Sequence, residues 1–220
     1  MSQHDFYYEF SGTSREIGLA HGKALKPIIH KAVKQWQEFL ATWSGITFEE
    51  LLAGFIKQTN YMPAIEKHAP HTLDEIRGIA QGAELDYDLV YAWQMVDEVI
   101  DYIVEYIYVE KCSTVGAYDQ AEGFAPVLGK TQDLPHCYIG AGVLIRTKNT
   151  ETGADLFNST IAGIVNQDGM NQNLGFCLNH IGQLARDESG LPVVFVARLL
   201  LEKCNNVVEA VALLKELPHA

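Results

Sequence analysis

Basic residues are scarce in this chain: 16 lysines and arginines stand against 28 aspartates and glutamates, a formal net charge of -12. With no local cluster of Lys or Arg to reverse it, that balance argues against nucleic acid and anionic membrane surfaces as partners. No apolar run is long enough to span a bilayer. The N-terminus, MSQHDFYYEF, lacks a basic patch followed by an apolar stretch, so no secretory signal is expected and a cytoplasmic, reducing compartment is predicted. The four cysteines, Cys112, Cys137, Cys177 and Cys204, match no paired metal-ligand spacing. Nor does His21, His30, His68 or His71 have a second ligand at a persuasive distance along the chain, so neither metal nor cofactor is expected. Internal repeats and low-complexity tracts are absent. Against these lacks, 48% of the 220 residues are hydrophobic, enough for a sizeable core in one or two domains and too many for disorder.

The first half reads as helical. Phe6, Tyr8 and Phe10 alternate as in a short strand ending at Ser11-Gly12, and Ser14 is the expected N-cap of the first helix. Pro27 is expected to mark a kink or boundary, with a second apolar series over Val33, Trp36, Phe39, Leu40 and Trp43. Thr47 with Glu50, and Thr72 with Glu75, read as capping boxes; Gly82 is expected to end the second of these helices. Residues 87–108 begin as a helix and finish as a strand over Ile103 to Val109. Asp97, Glu98 and Asp101 have the composition of paired acid–base carboxylates, but their spacing is that of a solvated or hydrogen-bonded helix face, the reading preferred here.

At Glu110-Lys111-Cys112-Ser113-Thr114 the texture changes to glycine-rich strands. Strands are expected from Cys112, over Gly123 to Leu128, Ile139 to Thr147, Ala154 to Ile161, Ile164 to Val165 and Phe176 to His180, consecutive and antiparallel. Gly129-Lys130-Thr131-Gln132-Asp133 superficially looks like a phosphate loop, without the upstream glycine that one requires. Asn179 ends an apolar strand, where an amide serves either as an oxyanion donor or as a turn stabiliser. Helices follow from Pro192 and Val207. The order of helices, strands and helices predicts an α+β layered fold. Cys112 at the seam carries a distinct chemical possibility. If the Lys111–Cys112 bond breaks, the sulfur gains an α-amine with an ordinary pKa of about 7.7 to 8.0, able to take its proton. Nucleophile and base then share one residue.

Gly12-Thr13-Ser14-Arg15-Glu16-Ile17-Gly18-Leu19-Ala20-His21-Gly22, then Cys112-Ser113-Thr114, then Gly129-Lys130-Thr131-Gln132-Asp133, then Ala162-Gly163 to Asn179, follow an order that resembles the acyl-coenzyme A:6-aminopenicillanic acid acyltransferase family. This is the cysteine branch of the N-terminal-nucleophile hydrolases. The resemblance implies an αββα sandwich, with residues 1–111 as a helical pro-region and 112–220 as the start of the nucleophile-bearing catalytic subunit, with helices from about residue 192. It implies a zymogen that cleaves itself at Lys111–Cys112, with Cys112 as nucleophile and base, Asp133 orienting the amine and Asn179 stabilising the oxyanion. Lys111 stands where the penicillin enzyme has glycine, and members of the family continue beyond the point matching Pro218-His219-Ala220. A partner chain or a further C-terminal segment is therefore expected to complete the fold. The function implied is a self-processing amidohydrolase acting on a small-molecule acyl amide; the alternatives are acyl transfer from acyl-CoA to an amine and a catalytically silent binding protein. Bile-salt-type and ceramidase-like amidases share the same broad fold.

Overall fold

A computed structural model of the chain describes residues 6–103, 112–119, 123–180 and 187–220. In chain order the elements are β1 (Tyr7–Gly12), α1 (Ser14–Ser44), α2 (Phe48–Gln58), α3 (Met62–His68), α4 (Pro70–Ala83), α5 (Tyr87–Gln94) and α6 (Val96–Ile103). They continue with β2 (Cys112–Asp119), β3 (Phe124–Gln132), a 3-10 turn (His136–Tyr138), β4 (Gly142–Asn149), β5 (Asp155–Ile161), β6 (Asp168–Met170), β7 (Gly175–Phe176), α7 (Val193–Lys203) and α8 (Val207–Glu216). The expected strand over Ile103 to Val109 and the bond at Lys111 lie outside the described residues, apart from Ile103, which ends α6.

The mix of helix and sheet is α+β, as the element order predicts. One sheet has five strands in the order β1-β4-β5-β6-β7, and β2 with β3 forms a separate hairpin. The strands β4 to β7 pair antiparallel, while β1 joins β4 in parallel from Tyr7 opposite Leu144 to Gly12 opposite Asn149. A parallel neighbour requires a long crossover, and here the crossover is the whole helical half. The two halves of the chain thus share one sheet and one apolar core. Alternation along β4 buries Val143, Ile145, Thr147 and Asn149 on one face. On the other face Arg146 binds Asp155 with two hydrogen bonds of 2.9 and 2.8 Å.

Helix α1 is longer than the sequence suggested. Its N-cap is Thr13, one residue before the expected Ser14: the Thr13 hydroxyl accepts from the Glu16 amide, and the Glu16 carboxylate accepts from the Thr13 amide. Pro27 lies inside it and does not end it; both apolar series belong to one helix whose buried stripe runs from Ile17 to Leu40. Gly18 and Gly22 face Gly78 and Gly82 of α4 so closely that a Cβ at Gly18 would run into the Glu75 carbonyl, and one at Gly82 into that of Leu19. Gly82 is therefore an interior contact of α4 rather than its stop, which falls at Ala83 with Glu84 in the left-handed region. The Thr47–Glu50 box is present. The Thr72–Glu75 box is not: α4 starts earlier, at Pro70, and both side chains are buried. Glu75 instead binds Arg198 of α7 at 2.7 Å, and the same guanidinium binds Glu202 at 2.6 Å. Burial works against the Arg198 charge, but the two carboxylates outweigh it and raise its pKa.

The expected short strand at Ile164-Val165 is instead a turn pinned by buried side chains. The Trp93 indole donates to the Ala162 carbonyl at 3.0 Å, and the Gln94 amide donates to the Gly163 carbonyl at 2.8 Å and accepts from the Val165 amide at 2.9 Å. The Gly163 amide donates to His21 Nε2 at 3.0 Å, and the His21 ring stacks on Phe10. His21 must be neutral to accept that bond, and burial pushes its pKa down to about 3. The unfolded imidazole binds a proton near its ordinary 6.5. The contribution of His21 is therefore complete above pH 6.5 and falls away as the pH drops towards 3. A loss of about 2 kcal/mol by pH 5 is expected. Urea midpoints measured at pH 7.5, 6 and 5 check this; a flat series would show that the folded state tolerates the imidazolium.

Candidate functional site

Cys112 opens β2 and sits opposite Gln132, the last residue of β3, with Asp133 immediately after it. The stretch Gly129 to Gln132, which superficially looked like a phosphate loop, is plain strand. Its lysine faces inward: Lys130 Nζ donates to both carboxylate oxygens of Asp168 in β6, at 2.8 and 2.9 Å, with both side chains largely buried. Asp168 also accepts from the Leu178 amide at 2.8 Å. One carboxylate thus fastens the hairpin to the five-stranded sheet and to the segment leading to Asn179. A second tie is made by Thr114, two residues along β2 from Cys112, whose hydroxyl donates to Asn179 Oδ1 at 2.7 Å. Because the carbonyl end of Asn179 is held this way, its NH₂ end is the one directed to other acceptors. The preceding turn is held by Asn171, whose amide donates to the Leu201 and Cys204 carbonyls at 2.8 and 2.7 Å.

Cys112 is half-buried and lines a small cavity of about 20 Å³, together with Asp97 of α6, Lys130, Tyr138, Gln167 and His180. Beside it lies a larger cavity of about 310 Å³, whose walls include Tyr102, Phe176, Leu191 and Val196 together with Asn179 and Glu98. Asp97, Leu178 and His180 line both. Of the residues singled out in the sequence, Cys112 and Asn179 are brought to adjoining cavities and linked through Thr114. Asp133 is exposed and lines neither. The other three cysteines differ in their surroundings: Cys137 and Cys204 are buried, Cys177 is half-buried, and burial raises the pKa of each, that of Cys137 to about 11.

Of the two forms expected for the acidic face of α6, solvated or hydrogen-bonded, it takes the hydrogen-bonded one. Burial, with Asp97 and Asp101 nearby, raises the Glu98 carboxyl to about 7, although it accepts from the Val193 amide at the start of α7 at 3.0 Å. Asp101 binds His180 Nε2 at 2.8 Å. His180, Gln167 and Tyr138 were not picked out in the sequence. Gln167 precedes Asp168 in a polar turn, and nothing local marks it as inward-facing.

Fold and site together describe an α+β protein in which a half-buried cysteine begins a hairpin over a cleft. Residues 123–220 match the family model described as acyl-coenzyme A:6-aminopenicillanic acid acyl-transferase, the family whose motifs the sequence resembles. That match points to acyltransferase or N-terminal-nucleophile-hydrolase-like chemistry on a small molecule; it contains Asp133 and Asn179 and begins after Cys112. Comparison with curated proteins finds no match to the chain. Among the described residues no helix is long and apolar enough to cross a membrane, and no group of three or more His, Cys, Asp or Glu side chains could hold a metal ion.

Proposed function

We propose that the chain is a self-processing N-terminal cysteine amidohydrolase that cleaves an N-acyl amide through an acyl-enzyme on Cys112. The observation that carries the reading is the position of Cys112: half-buried at the first residue of a strand, on the wall of a cavity that adjoins a larger one with mostly apolar walls. In this scheme the sulfur attacks the Lys111 carbonyl, the peptide bond passes to a thioester in an N-to-S shift, and water releases residues 1–111. The freed α-amine then accepts the thiol proton in each turnover. Asn179, with its carbonyl end bound by Thr114, directs its NH₂ to the developing oxyanion. Asp133, next to the cross-strand partner of Cys112, orients the amine. The 310 Å³ cavity takes the acyl group.

Acyl transfer is the second reading, favoured by the description of the matched family; it differs only in that an amine, rather than water, resolves the thioester. The architecture belongs to the same proposal. Val115, Tyr118, Val127 and Leu128 are exposed on the β2–β3 hairpin, which suits a second sheet of an αββα sandwich completed by further strands from a partner chain or a continuing segment. Intact mass of the purified full chain is the first test. Two pieces meeting at Lys111/Cys112, with a mass increment on the Cys112 piece after exposure to an activated acyl ester, are expected. A single uncut mass that takes up no acyl group would leave a binding protein on this fold.

A further inference from the structure

Two residues that line the Cys112 cavity each carry a polar atom with no partner among the described residues. The Tyr138 hydroxyl and Gln167 Oε1 are both buried without a hydrogen bond, in residues only 5% and 7% exposed, and both residues line the same 20 Å³ space as Cys112. Orphaned buried polar groups are costly and rare, and two of them in residues that line one small cavity signal a third party there. A space of this size holds about one water. The pair is also complementary, since a phenol donates and an amide oxygen accepts. Burial raises the Tyr138 phenol well above its ordinary 10, so it remains a donor at neutral pH. Both groups sit on fixed supports. Tyr138 ends the 3-10 turn and packs on Trp93 at 5.8 Å between ring centroids, and Gln167 lies between the pinned Val165 and Asp168 in its pair with Lys130.

We propose that Gln167 and Tyr138 hold one water against Cys112, and that this is the water that resolves thioesters formed there. The inference rests on the proposed Cys112 chemistry. The water accepts from the Tyr138 hydroxyl and donates to Gln167 Oε1, which leaves a lone pair and one O–H for the reaction. Its oxygen adds to the thioester carbonyl and a C–O bond forms. The C–S bond breaks with its electron pair going to sulfur, and the water's proton passes through the Cys112 amine to the thiolate. The products are a carboxylic acid and the free thiol. The same seat serves self-cleavage, where the acyl group is the C-terminal carbonyl of Lys111. Gln167 and Tyr138 are thus positioning residues that set hydrolysis against transfer.

The test follows self-cleavage of the full-length chain by intact mass, with and without hydroxylamine, a nucleophile that resolves thioesters without a seated water. Gln167→Met and Tyr138→Phe are expected to slow self-cleavage by about 10- to 100-fold, with hydroxylamine restoring release of residues 1–111. Gln167→Glu, which keeps an acceptor in place, is expected to stay near the unsubstituted rate. Unslowed cleavage in both Met and Phe variants would overturn the proposal. So would slowed cleavage that hydroxylamine does not restore, because the defect would then precede the thioester. An unsubstituted chain that yields no fragment even with hydroxylamine would remove the Cys112 chemistry itself, and the water seat with it.

Discussion

Cys112→Ala is expected to remain a single uncut chain under conditions in which, on the proposed self-processing, the unsubstituted protein separates into residues 1–111 and 112–220. The variant removes one sulfur from a half-buried position at the edge of a cavity, so the fold loses little. The chemistry loses its only electron-pair donor to the Lys111 carbonyl. An alanine methyl can neither accept the acyl group nor form the thioester that water resolves, and the loss in amidase turnover should be on the order of 10⁶-fold, the scale seen when an enzyme nucleophile is deleted. Hydroxylamine should not restore cleavage, since no thioester exists to be opened. Time-resolved intact mass and release of the acid from an N-acyl amide measure both effects. Cutting at residue 111 that persists in Cys112→Ala would assign the event to an outside protease and sink the self-processing scheme.

The second large effect concerns the fold. Glu75→Ala is expected to destabilise the protein by about 3–5 kcal/mol, since it leaves a buried guanidinium with one carboxylate fewer. Arg198 is wholly buried, and its bonds to Glu75 and Glu202 span α4 and α7. The Val165 carbonyl accepts a longer bond of 3.4 Å, too weak to replace a carboxylate. For a chain of this length the melting temperature should fall by roughly 10 °C. Glu75→Leu combined with Arg198→Met, which removes charge on both sides, should recover most of the loss. Thermal melts of the three variants decide the matter. A Glu75→Ala melt within a degree of the unsubstituted protein would mean that water reaches the guanidinium and that the pair contributes little. Because α7 also begins at the Val193 amide bound by Glu98 on the wall of the 310 Å³ cavity, the same variant should loosen that wall.

How far these conclusions could be read from the chain differs by residue. Thr47 with Glu50 was legible because a capping box is local: two side chains and two amides within one turn satisfy each other whatever surrounds them. Thr72 with Glu75 has the same spelling and a different fate. Glu75 finds a guanidinium 123 residues away in the chain, and a charge-assisted bond in the interior outweighs a surface cap. Pro27 failed as a boundary for a related reason. The ring costs α1 one backbone bond, and that cost is offset by a stripe buried continuously from Ile17 to Leu40. The acids of α6 carried the pattern of a solvated or hydrogen-bonded face, and nothing in their spacing indicates that Leu178, Asn179 and His180 return to enclose them.

The sequence alone determined the alternation of helices and strands, the position of Cys112 at their junction, and the order of motifs that resembles the matched family, because periodicity, turn residues and motif order are properties of neighbours along the chain. Only the tertiary structure decided that β1 closes on β4, that four glycines bring α1 against α4, and that Gln167, Tyr138 and His180 meet at Cys112. Those are contacts between segments far apart in the chain. They are selected by which surfaces exclude water best together and which buried polar atoms find partners, and neither quantity exists until the chain has folded.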